Sequence, residues 1–227
     1  MIPASLIPAP SPNFDERPGG VAFLVLHYTG MQTAEAAIAR LRDPVAKVSA
    51  HYVVDEDGAV YALVAEEKRA WHAGVSFWRG VSMLNDASIG IEIVNPGHAF
   101  GYVAFPARQM AAVTALCLEV LGRWPAIVAR NVVGHSDIAP DRKWDPGELF
   151  DWRGLAAAGV GLWSDGFAPP GDLLDDLAAI GYDTRFAARD VIIAFQRHFL
   201  PEHLSGEADM MTAARAAAVR ALIDAPA

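Results

Sequence analysis

The chain has 227 residues, 53% hydrophobic and 20% charged, which suffices for a packed core and excludes a disordered chain. A formal net charge of −9 argues against a nucleic-acid or anionic-membrane partner, which would call for a basic surface. The single cysteine, Cys117, excludes an intrachain disulfide framework, and no apolar run reaches the ~18 residues of a membrane-spanning helix.

Residues 1–20 are interrupted by prolines and predict an irregular, partly extended lead-in. They have neither the basic start nor the unbroken apolar stretch of a signal peptide, so the expected location is cytoplasmic, or periplasmic if the natural N-terminus has been trimmed. "VAFLVLHYTG" predicts a buried strand that stops at Gly30. "TAEAAIARLRDP" predicts a helix with Thr33 as N-cap and Pro44 just beyond its end. "SAHYVVDEDGAVYALV" reads as two strands joined at Asp57-Gly58, a hairpin signal. "SIGIEIVNPG" is a further core strand. "PARQMAAVTALCLEVLGRW" is an amphipathic helix with Pro106 at its start, Gly122 near its end and Cys117 as a buried small hydrophobe. "IVARNVVGH" supplies another strand. Hairpin and crossover together predict an α/β fold with a mixed central sheet flanked by helices. After the turn-rich "SDGFAPPGD" the remainder is helical. The expected organisation is a lead-in over 1–20, a main domain over 21–165 and a small three-helix domain over 171–227.

Polar residues at the ends of core strands are delivered rigidly to one rim of a sheet. His27 ends "FLVLH", Glu92 interrupts "IGIEIV", His135 follows "NVVG", and Asp145 lies ten positions on in a loop dense with ionisable groups. Two imidazoles and a carboxylate suit a zinc ion with an open position for water. Spacing alone also leaves His27 open as a satisfied core histidine. Glu92 is either structurally paired or a general base and acid beside a metal. Lys143 is either a surface lysine or a cation for a developing oxyanion. "AWHAGVSFWRG" gathers aromatic rings in a glycine-punctuated loop, either to stack on a ligand or to pack down as a lid. Ser136, His135 and Asp137 are too close in sequence to fold into a hydrolytic triad. His98, His198 and His203 have no partner that the sequence names.

Taken together and in order, "LVLHYTG", "SAHYVVDEDGAVYALV", "AWHAGVSFWRG…LNDASIGIEIVN" and "VVGHSDIAPDRKWDPG" resemble the zinc-dependent type-2 N-acetylmuramoyl-L-alanine amidases, which share a fold with peptidoglycan recognition proteins. The resemblance implies zinc, one per chain, on His27, His135 and Asp145. It implies that Glu92 assists the water and Lys143 stabilises the tetrahedral intermediate. It implies a substrate groove lined by His51, Trp71, His72, Ala73, Trp78 and Asn95. Arg142 is a candidate to clamp a stem-peptide carboxylate, since guanidinium pairs bidentately with carboxylates. The tail, with "AFQRHF", resembles a three-helix peptidoglycan-binding module; its other expected role is to buttress the main domain. The implied partners are muropeptides or peptidoglycan, and nothing in the sequence specifies an oligomeric partner. Soluble 1,6-anhydromuropeptides met in wall recycling are the expected substrate. The alternatives are an envelope or phage-type amidase acting on polymer, or a sensor that binds muropeptides without cleaving them.

Overall fold

The computed structural model describes residues 6–224; the first five residues of the expected lead-in and the last three of the expected tail lie outside the described residues. In chain order the elements are β1 (Leu6–Pro8), β2 (Phe14–Glu16), β3 (Phe23–Tyr28), α1 (Ala34–Arg42), β4 (Tyr52–Val54), β5 (Val60–Ala62), β6 (Lys68–Ala70), β7 (Phe77–Trp78), β8 (Val81–Ser82), β9 (Ser88–Ile93), α2 (Gly97–Phe100), α3 (Ala107–Arg123), β10 (Val132–Gly134), α4 (His135–Ile138), α5 (Trp152–Ala157), α6 (Leu173–Ile180), α7 (Ala188–Phe199) and α8 (Met210–Asp224). The main sheet runs β1-β5-β4-β9-β3-β10. Its pairs are parallel except β4 with β5, the predicted hairpin. Gly58 makes that turn at φ 88°, a conformation glycine adopts without steric cost. The expected mixed sheet flanked by helices is therefore what forms.

Period-2 alternation divides the central strands between two cores. Leu24 and Leu26 of β3 and Ile89, Ile91 and Ile93 of β9 face α3, where Val113, Leu116, Cys117 and Val120 complete one cluster. Burial pushes the Cys117 thiol up to about 12, so it is inert packing, as expected. Phe23, Val25 and Val133 face the other way. There they pack with Leu177, Ile180, Val191, Phe195, Ala216 and Val219 of the tail. The three tail helices thus share a hydrophobic core with the sheet. Thr33 caps α1 as predicted, accepting from the Ala36 N–H at 3.2 Å.

Part of the lead-in is ordered into the fold. β1 adds to the sheet beside β5, and β2 pairs antiparallel with β6. Both strands are short and exposed, which is where a sheet tolerates Pro8.

Candidate metal centre and active site

The register of β3 against β9 sets His27 directly beside Glu92, on the face away from α3. On that face residues 23, 25 and 133 are covered by the tail. His27 and Glu92, farther along the same strands, lie at the edge of this cover. β10 ends at Gly134, so His135 enters from the neighbouring strand as the first residue of α4. The loop after α4 returns Asp145 to the same point.

Three buried ligand atoms converge there. His27 Nδ1 lies 2.9 Å from His135 Nδ1, and Asp145 Oδ2 lies 3.0 Å from each. Outer hydrogen bonds fix both tautomers. The Ser88 hydroxyl donates to the Leu84 carbonyl at 2.6 Å, so its oxygen accepts from His72 Nε2–H at 3.2 Å. Burial, then the neighbouring His27, holds His72 well below the usual histidine range, so its ring is neutral. Its Nδ1 must then accept from His27 Nε2–H at 3.0 Å, which leaves a bare lone pair on His27 Nδ1. His135 donates Nε2–H to the Ala73 carbonyl at 3.2 Å, which turns its Nδ1 inward to the same point. Two imidazole lone pairs and a carboxylate oxygen in mutual contact form a donor set that suits a divalent, borderline-soft cation such as zinc.

The electrostatics agree. Burial, reinforced by His135, pushes His27 down to about 4, so it is neutral and ready to ligate near pH 7. Burial alone would raise Asp145, but His135 and His27 beside it prevail and hold it well below the carboxylate range. Glu92 goes the other way. Burial, then the Asp145 charge, pushes it well above its ordinary value, while Lys143 opposes the shift. Glu92 Oε2 is buried without a hydrogen-bond partner, as suits a group that acts on something not of this chain.

These residues open on a cleft of about 410 Å³. Glu92, Lys143, Trp71 and His72 line it, with Tyr28 and Met31 among the other walls. Lys143 has no side-chain hydrogen bond or ion pair among the described residues. Trp71 is anchored through Nε1–H to Asp15 at 2.7 Å. Arg142 lines the cleft, but its Nη2 donates to the carbonyls of Ala73, at 2.8 Å, and Val75. That guanidinium edge braces the loop over residues 73–75.

Four expected groove residues lie beneath the cleft as scaffold. His51 is fully buried; its Nδ1 accepts from the Gly90 N–H at 2.9 Å and its Nε2–H donates to the Lys68 carbonyl at 3.1 Å. Ala73 is buried and contributes its carbonyl to His135 and Arg142. Trp78 packs edge-on against Tyr182 of the tail and donates to the Arg130 carbonyl at 3.1 Å. Asn95 holds the turn after β9, accepting from Gly97 N–H at 3.0 Å and donating to Val103 at 2.8 Å. In His51, Trp78 and Asn95 a backbone group needing a partner has claimed the polar atom.

Sequence reasoning missed two features. Ser88 closes the chain that orients His27, and its signal was a polar residue sharing a strand face with Glu92, four positions on. His98, unpartnered in the sequence, accepts or donates to Tyr28 at 3.0 Å, pairs with Glu148 at 3.1 Å and stacks on Tyr102 at 4.3 Å, building the wall beside Trp144.

Comparison with known proteins agrees with this chemistry. The N-acetylmuramoyl-L-alanine amidase family profile matches residues 16–148. The N-acetylmuramoyl-L-alanine amidase AmiD of Escherichia coli K12 is 40% identical, over 88% of this chain and 82% of its own. The 1,6-anhydro-N-acetylmuramyl-L-alanine amidase AmpD of the same organism is 39% identical, over 63% of this chain and 86% of its own. AmpDH3 of Pseudomonas aeruginosa, solved in complex with anhydromuramic pentapeptide, superposes with a TM-score of 0.82 at 37% identity, covering 92% of this chain and 95% of that one. The chain belongs to the N-acetylmuramoyl-L-alanine amidase family.

Proposed function

We propose that this enzyme hydrolyses the amide between the lactyl group of N-acetylmuramic acid, or its 1,6-anhydro form, and the L-alanine of soluble peptidoglycan fragments, in wall recycling. The observation that carries this reading is the buried triangle of His27 Nδ1, His135 Nδ1 and Asp145 Oδ2, with both imidazole tautomers set by outer bonds. Those three residues would hold one zinc ion. A zinc ion supplies a Lewis acid and a water acidic enough to ionise near neutral pH.

The chain's own residues do the rest. Glu92, beside His27, takes the proton of the attacking water as the C–O bond forms. It delivers that proton to the nitrogen of L-alanine as the C–N bond breaks, so that the amine leaves neutral. Burial and the Asp145 charge shift Glu92 toward its protonated form; a cation at the centre would oppose that shift and favour the carboxylate that a base requires. Lys143 faces the cleft with its ammonium uncommitted, placed to balance the charge that develops on the carbonyl oxygen. The walls of Tyr28, Met31 and Trp71 orient the fragment and limit water.

No helix among the described residues is long and apolar enough to cross a membrane. Recycling of soluble fragments would place the enzyme in the cytoplasm. The solved relative that carries an anhydromuramic pentapeptide favours the soluble, anhydro substrate. A second reading, action on polymeric wall, is favoured by the tail, since the similarity to AmiD extends over 88% of the chain. The complete metal set weighs against a sensor. We further propose the tail over 171–227 as a peptidoglycan-binding-like unit docked on the main domain over 21–165.

Chromatography of products from an anhydromuramyl tripeptide and from intact sacculi, with and without chelator, separates these readings. Chelator-sensitive cleavage of the tripeptide alone is the expected result. Cleavage of sacculi at a comparable rate would establish the second reading, and cleavage of neither by zinc-loaded protein would leave the sensor.

A further inference from the structure

The tail is joined to the candidate metal loop by more than apolar packing. Asp137, two residues after His135 and in the same turn of α4, is fully buried. Its Oδ2 accepts from the Gly134 N–H at 2.7 Å and from His198 Nδ1–H at 2.8 Å, and its Oδ1 accepts from the Tyr182 hydroxyl at 2.6 Å. Two of these three donors come from the tail: Tyr182 follows α6, and His198 lies in the last turn of α7. Neither donor is loose. Tyr182 packs edge-on against Trp78, with ring centroids 4.8 Å apart. The His198 ring stacks between Trp152 at 3.8 Å and Phe199 at 3.9 Å.

A second tie holds the other end of the loop. Arg197, next to His198, donates through Nε to Glu148 at 3.2 Å, and Glu148 also pairs with His98. Asp137 and Glu148 therefore fasten residues 134–148 to the tail near both ends. His135, Lys143 and Asp145 lie between the two fastenings. A buried carboxylate stripped of its donors carries its full desolvation cost, so Asp137 keeps its present place only while the tail supplies its bonds.

We propose that the tail is a structural part of the metal centre: Tyr182 and His198, acting through Asp137, are positioning residues for His135. The inference rests on the metal reading of His27, His135 and Asp145. It assigns the tail a role that needs no glycan. Losing a partner bonded directly to a ligand typically weakens metal binding by about 10- to 100-fold; Tyr182 and His198 act one step farther out, through the Gly134–Asp137 turn that carries His135, so their loss is expected to cost less.

The test uses full-length protein and two readouts that need no turnover. The first is zinc affinity by competition with a chromophoric chelator. The second is amide hydrogen exchange over residues 134–138 in metal-free protein. Tyr182→Phe and His198→Leu are each expected to weaken zinc binding by about 3- to 10-fold and to speed that exchange. His198→Asn, which keeps a donor near the Nδ1 position, is expected to recover most of the affinity. Val219→Ala, in the shared core but on α8, which supplies no hydrogen bond to Asp137, is expected to lower the melting temperature and to leave zinc affinity within about twofold. Unchanged affinity in both Tyr182→Phe and His198→Leu, with zinc bound by the wild type, overturns this inference alone. Equal weakening by Val219→Ala overturns it as well, since general softening would then suffice. A wild type that binds no zinc overturns the metal reading and this inference with it.

Discussion

Glu92 and Lys143 are separable from the metal by substitution, because neither supplies one of the three converging ligand atoms. Glu92→Gln keeps size and hydrogen-bonding capacity and removes the base. It is expected to retain zinc and lower kcat by about 10²- to 10⁴-fold, read in single-turnover assays. Lys143→Ala is expected to retain zinc and lower kcat by about 10²- to 10³-fold, the usual cost of one oxyanion partner. His135→Ala should lose both zinc and turnover, as chelator competition and product release would show. At this scale the sequence was informative where a polar residue broke a buried apolar strand, as His27 and Glu92 do. It was uninformative for His51, Trp78 and Asn95. Their polar atoms answer backbone groups at Gly90, Arg130 and Gly97, and those pairings exist only after folding.

Strand β9 carries the site because it alternates cleanly, isoleucine toward α3 and Ser88, Gly90 and Glu92 toward the cleft. Gly90 is the small member because the His72 ring lies against it. A Cβ there would sit 2.4 Å from His72 Cγ, inside any real contact. Gly90→Ala is expected to destabilise the protein by about 1–3 kcal/mol in urea unfolding and also to weaken zinc binding, because the displaced ring is the partner of His27. Loss of stability with unaltered zinc affinity would detach His72 from the metal centre. Elements with strong local signals were legible: the Asp57-Gly58 hairpin, the Thr33 cap and the amphipathic α3. β1 and β2 were not. Three residues each, exposed and proline-flanked, they are strands only because β5 and β6 offer unpaired edges.

The whole molecule buries histidines that must stay neutral, and this makes its stability depend on pH. His51 and His27 are pushed down to about 4 by burial, while in the unfolded chain they titrate near 6.5. Between those values the unfolded state binds protons that the folded state refuses, so stability falls as pH drops from about 6.5 to 4. Each group withdraws up to about 3 kcal/mol across that window. Urea unfolding of metal-free protein at pH 7 and pH 4.5 is expected to show the decline, and a flat profile would contradict the burial of neutral rings. The tail's helices were legible from their periodicity, but their docking was not. The residues that face the sheet, such as Leu177 and Phe195, look in sequence like the core of any small bundle. Only the assembled fold shows Asp137 waiting for Tyr182 and His198.

Zinc titration of chelator-stripped protein, followed by release of the L-alanyl peptide from an anhydromuramyl tripeptide, decides whether the chain is a zinc-dependent amidase. Activity should rise in proportion to added zinc and level off at one equivalent per chain, with free anhydromuramic acid and intact peptide as products. Cleavage by the stripped protein before any zinc is added, or a fully loaded protein that leaves the tripeptide whole, would contradict that assignment.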